Sequence, residues 1–251
     1  MCLHRFRFLS LALFLQCAYA QPPGSVRPWS AGGFIMTDSQ PYRGADGNTR
    51  VLPFLSYQGP RLAWYGPFVR YQVANADPLR ISLRGQVDFG AYDESDAPIL
   101  SGLGDRPTTL LLGLGADWSF HPSWSAALSV DRDALNRHEG LEAVLSLNHR
   151  IGHPRAPFSA TLSSGLRFQD KRWTTDRVGV PADRAREDRP AYAPDVSLHP
   201  YLGSMMRWRP RQHWNVTAAL RYEWLDDTWR DSPLISDGGR LTSMFTVSYS
   251  F

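Results

Sequence analysis

The chain has 251 residues with 27 Lys and Arg against 24 Asp and Glu, and its two cysteines are Cys2 and Cys17. Arg5, Arg7 and both cysteines fall in an N-terminal stretch that reads as cleavable, and losing those two arginines leaves 25 basic residues against 24 acidic. A near-neutral, cysteine-free remainder excludes a basic nucleic-acid-binding field, disulfides, a thiol nucleophile and a Cys-ligated metal.

That stretch has the layout of a secretory signal. His4, Arg5 and Arg7 precede an apolar run from Phe8 to Leu15, and Ala18-Tyr19-Ala20 stands before Gln21, so residues 1–20 are expected to be removed. Gln16 before Cys17 is not the small residue that a lipoprotein signal needs. Residues 21–30, rich in proline, are expected to form a flexible lead-in. Residues 31–251 show no break in composition and read as one domain. No later apolar run approaches the roughly 18 residues of a spanning helix, so any membrane crossing is made by strands.

In chain order the candidate strands are 31–37, 50–58, 61–73, 79–92, 109–118, 124–131, 141–150, 158–169, 196–209, 213–225 and 241–251. Period-two alternation marks most of them. In 213–225, Trp214, Val216, Ala218, Leu220, Tyr222 and Trp224 share one face, and Asn215, Thr217, Arg221 and Glu223 the other. In 109–118, Leu110, Leu112, Leu114 and Trp118 oppose Thr109, Gly113, Gly115 and Asp117. The polar faces of the set carry Arg80, Arg84, Asp88, Asp131, Glu142, Arg150, Arg167 and Arg207, too many charges for a dry core. Aromatics gather at strand ends (Trp118, Phe120, Trp124, Phe168, Trp173, Trp208, Trp214, Trp224, Trp229), as at the two interfaces of a bilayer. The last strand alternates Leu241, Phe245, Val247, Tyr249 and Phe251 with Thr242, Thr246, Ser248 and Ser250. Together these features predict an all-β fold, an antiparallel transmembrane β-barrel with lipid outside and a charged lumen. Phe245, Val247, Tyr249 and Phe251 are the expected signal for the barrel assembly machinery.

At about twenty residues per strand and connection, the chain accommodates ten to twelve strands. Long connections at 93–107, 172–195 and 227–239 are expected outside the cell, and short ones near 75–78, 120–123, 152–156 and 210–213 in the periplasm. Eleven candidates cannot alternate direction and close. Either 31–37 is not a span, giving ten strands, or a partner for it is missing, giving twelve; ten is the preferred reading here, with residues 31–50 then periplasmic.

Several short segments carry a resemblance. Pro41-Tyr42-Arg43-Gly44-Ala45-Asp46, Leu52-Pro53 with Tyr57, Asp231-Ser232-Pro233-Leu234 and the final Tyr249-Ser250-Phe251 resemble the MipA/OmpV family, the MltA-interacting protein and its relatives. The resemblance implies an outer-membrane barrel of a Gram-negative cell. It also implies a non-enzymatic scaffold joining a murein hydrolase to a peptidoglycan synthase, with no cofactor. The same residues also read as turns: proline fixes φ, and Asp46-Gly47-Asn48 favours a tight reversal. On the ten-strand reading, Tyr42 and Asp46 are the expected partner-binding residues, in the periplasm.

Asp183 to Arg189 is a mixed-charge run in the longest connection. It reads as a solvated outer loop in which Arg184, Arg186 and Arg189 could pair bidentately with lipopolysaccharide phosphates. Among the histidines, His199 faces inward with Ser197 and Tyr201, where a hydrogen-bonded structural role outweighs catalysis, and no metal site is expected. The alternatives to a scaffold are a small-solute channel, and a lipid-modifying enzyme with a serine and a histidine at the rim.

Overall fold

The computed structural model describes residues 27–153 and 156–251; the expected signal peptide and residues 21–26 of the lead-in lie outside them. Twelve strands form one closed barrel, each antiparallel to its neighbours. They are β1 (Trp29–Asp38), β2 (Asn48–Gln58), β3 (Leu62–Tyr65), β4 (Phe68–Ala76), β5 (Leu79–Asp88), β6 (Thr109–His121), β7 (Trp124–Asp133), β8 (Leu141–Ile151), β9 (Phe158–Gln169), β10 (Ser197–Arg211), β11 (Trp214–Trp224) and β12 (Gly239–Ser250). Closure is made by β1 on β12, from Ser30 opposite Ser250 to Asp38 opposite Thr242.

The preferred count of ten strands is corrected to twelve, and the reason lies in residues 61–73. Gly66 takes φ +54 and Pro67 follows it, so the chain reverses there instead of running on. Two strands result, β3 with only four residues, and their hairpin is the partner that 31–37 lacked. The segment 31–37 is therefore a full strand. Its direction carries the 39–47 connection to the end of the barrel opposite Trp29 and Ser250, among the long connections.

Because β3 is so short, it pairs only with Ser56, Tyr57 and Gln58 of β2. Among the described residues, no strand lies beside β2 from Asn48 to Phe54 on that side. The Leu55 carbonyl accepts from the Gly66 N–H at 3.0 Å, which shows that odd positions of β2 turn their backbone groups that way. Pro53 is one of them, and a residue without an N–H belongs where no neighbour would receive it.

The alternation sorts faces as expected: Leu112 and Leu220 are 51% and 52% exposed toward the lipid side, while Asp131, Glu142, Arg167, Arg221 and Glu223 are buried in the lumen. Trp29, Trp118, Trp124, Trp208, Trp214 and Tyr249 ring one end on the outside, and Tyr222 and Trp224 mark the other. Trp173 and Trp229, expected in that belt, are instead buried. They belong to loop structure over the mouth: α1 (Lys171–Val178), capped by Asp170 accepting from the Trp173 N–H at 2.9 Å, and α2 (Asp227–Arg230), capped by Asp226.

Candidate functional site

The mouth at the end of the long connections is closed by the connections themselves. Tyr42, Tyr92, Ile99, Leu100, Leu103, Val178, Val180, Trp229, Leu234 and Ile235 form a buried apolar cluster drawn from four connections. Such a cluster stabilises loops that would otherwise remain separate, since each contributes only a few apolar side chains. Tyr42 sits at its centre, 3% exposed, with its hydroxyl donating to the Arg177 carbonyl at 3.3 Å and its ring 5.1 Å from that of Tyr92. Burial pushes its phenol pKa above the ordinary value.

Below the cap, the lumen is filled by ion pairs. Arg177 reaches down from α1 to Asp88 and also contacts Asp176 at 3.4 Å. Burial opposes the Arg177 charge, but Asp88 and Asp176 outweigh it and hold its pKa above the ordinary arginine value. Arg167 lies 3.1 Å from Glu223 and 3.5 Å from Glu142, and Arg240 lies 2.8 Å from Glu223. Arg50 pairs with Asp38 at 3.1 Å and Arg84 with Asp131 at 3.5 Å. Buried charges are tolerated when paired in this way, and the packed pairs leave little room for a solute.

The other end is different. Between Arg27, Ser30, Gln58, Arg207, Asn215 and Ser250 at the rim and Phe34, Phe54, Met205 and Met244 further in, about 930 Å³ is unfilled by protein, part of it continuous with solvent.

Several expected site residues have different surroundings from those anticipated. Tyr42 and Asp46 lie at the end of the long connections, Tyr42 buried and Asp46 exposed, and not at the end of the short turns where the ten-strand reading puts them; the cause is the extra hairpin. Arg189 is 2% exposed and donates to the carbonyls of Ile99 (2.6 Å), Ser101 (2.9 Å) and Arg184 (2.7 Å), so it holds two loops together and is not presented to phosphate. Arg184 and Arg186 donate to the carbonyls of Gly102 and Pro98, yet both side chains keep substantial exposure. Phe245, Tyr249 and Phe251 are exposed and Val247 is half-buried, all on the outer side of the last strand. His199 accepts from the Asp226 N–H at 3.2 Å and lies edge-on to Trp229, a positioning contact for α2. Arg207 and the inward Phe34, Phe54 and Met244 were missed as a group. The signal available was apolar residues at inward parity, visible only once β1 is accepted as a strand.

Residues 31–251 match the family described as MltA-interacting protein MipA. The chain is 24% identical over 227 residues to outer membrane protein YiaT of Escherichia coli K12, covering 88% of this chain and 90% of that one. It is 25% identical over 164 residues to OmpV of Vibrio cholerae, covering 64% of this chain and 62% of that one. Among solved structures, an outer membrane channel from Pseudomonas putida F1 aligns at 14% identity, TM-score 0.45, over 94% of this chain and 98% of that one. The NanC porin aligns at 10% identity, TM-score 0.40, over 89% of this chain and 100% of that one. With its closed twelve-strand architecture and a family match over residues 31–251, this chain is an outer-membrane β-barrel and belongs to the MltA-interacting protein MipA family.

Proposed function

We propose that this barrel is a non-enzymatic interaction protein whose periplasmic end holds enzymes of peptidoglycan synthesis and remodelling. The observation that carries the reading is the closed outer mouth. A barrel blocked by a loop core and by buried ion pairs is poorly built for throughput, and its open, polar end faces the compartment where those enzymes work. The family's description, MltA-interacting protein, supports the same reading. With Tyr42 in the cap, the docking surface moves to the rim: the β2–β3 turn with Pro60 and Arg61, the β6–β7 turn with Pro122, and the β10–β11 turn with Gln212, all exposed. A photo-crosslinking residue at Arg61, Pro122 or Gln212 is expected to capture a murein hydrolase in intact cells, and one at Asp46 is not. Capture from Asp46 alone would overturn the reading.

The rival channel reading makes an opposite prediction. In planar bilayers at low voltage the purified barrel is expected to give no steady conductance; reproducible open levels would favour the channel. Against a rim enzyme stands the use of His199 by the Asp226 backbone and of Ser197 by Gln169 and Thr174. Arg184 and Arg186 remain the proposed contacts for lipopolysaccharide phosphate. The segment with Phe245, Val247, Tyr249 and Phe251 remains the proposed signal for barrel assembly.

A further inference from the structure

The inner cavity has a chemical gradient along the barrel axis, repeated on four strands. Moving away from the rim, inward positions change from Ser30 to Phe34 on β1, from Gln58 and Ser56 to Phe54 on β2, from Arg207 to Met205 on β10, and from Ser250 and Ser248 to Met244 on β12. The polar end is neither acidic nor balanced. Deeper lumen arginines, Arg50, Arg84, Arg167 and Arg240, each have a carboxylate within 3.5 Å. Arg207 lines the cavity with no acidic partner among the described residues; its electrostatic neighbours are Tyr65 and Arg209. Arg27, against the His213 ring, adds a second cation at the rim.

Water alone would solvate Arg207 but would leave the uncovered parts of Phe54, Met205 and Met244 facing it at a cost proportional to their apolar area, with the buried Phe34 packed edge-on against Phe54 behind them. The geometry points to a binding site for a single-chain anionic amphiphile, its carboxylate or phosphate beside Arg207 and its aliphatic chain among Phe34, Phe54, Met205 and Met244. The proposed point of entry from the bilayer is the place where β2 loses its neighbouring strand. Tyr65 and Pro67, which line the cavity, flank the β3–β4 turn, beyond which β2 has no neighbouring strand. This inference does not depend on the docking role above.

The test uses the folded, full-length mature barrel in nanodiscs of zwitterionic lipid, with displacement of a fluorescent long-chain acid as the readout. Hexadecanoic acid or palmitoyl lysophosphatidic acid is expected to bind, and the better of the two identifies a free fatty acid or a lysolipid as the source. Methyl hexadecanoate, matched in length but uncharged, is expected to bind at least about tenfold more weakly, and Arg207→Gln is expected to weaken the acid by a similar factor. Heat-modifiable migration checks that the variant is folded; Met244→Asn, as a second variant, is expected to weaken acid and ester alike. Failure of both acids to bind, equal affinity of acid and ester, or unchanged affinity of folded Arg207→Gln would each overturn the site.

Discussion

Replacing Glu223 by leucine is expected to destabilise the barrel by about 3–5 kcal/mol, the range for breaking a buried pair by removing one partner. Glu223 receives Arg167 at 3.1 Å and Arg240 at 2.8 Å, and its side chain is 2% exposed. Among the described residues, the loss leaves Arg240 with no contacting carboxylate and Arg167 with Glu142 alone, at 3.5 Å. Glu223→Gln keeps an acceptor and is expected to cost less. Urea unfolding of the folded barrel in lipid vesicles measures both. A cost below about 1 kcal/mol for Glu223→Leu would mean that water reaches these charges and that the lumen is not packed as described.

Arginine at Leu220 is expected to cost about 2–4 kcal/mol, because the site lies midway along β11 on the lipid side. Leu112 is nearer the outer end of β6, opposite Arg132 of β7, and arginine there is expected to cost less as the depth decreases. The inward comparison needs a site with room. Gly113 has none, since a Cβ there would meet the Val130 carbonyl at 2.1 Å, and Ala219 is buried. Asn215, which lines the inner cavity with Arg27 and Arg207, does, and Asn215→Glu is expected to change stability by less than about 1 kcal/mol. Equal tolerance of Leu220→Arg and Asn215→Glu in the same unfolding assay would overturn the facing.

Period-two alternation was enough to define the lipid face, and Leu220 against Arg221 illustrates why. Hydrocarbon rejects charge at every position it touches, so each strand records its own solvent without reference to any other strand. Connection lengths were legible for the same local reason, and so was the family resemblance, spread over short segments from Pro41 to Phe251. The strand count was not. Gly66-Pro67 interrupts a run in which Trp64, Tyr65, Phe68 and Val69 continue to look like strand, and a four-residue strand is too short to stand out from its neighbours. That one hairpin decided the direction of β1, and with it the side on which Tyr42 lies.

The site depended on tertiary structure for a further reason. The sequence placed Arg189 in an outer loop and Arg207 on the inward face of a strand but showed the surroundings of neither: one is enclosed by the carbonyls of another loop and the other faces an open cavity. Asp88 and Arg177 stand 89 residues apart and meet only when α1 folds over the closed barrel. Whether a lumen residue is paired, packed or free is set by what lies across the barrel, and that neighbour comes from a distant strand or loop brought near only by closure. The sequence by itself therefore determined the solvent on each side of the wall. Only closure of the barrel decided which inward side chains fill the lumen and which leave it hollow.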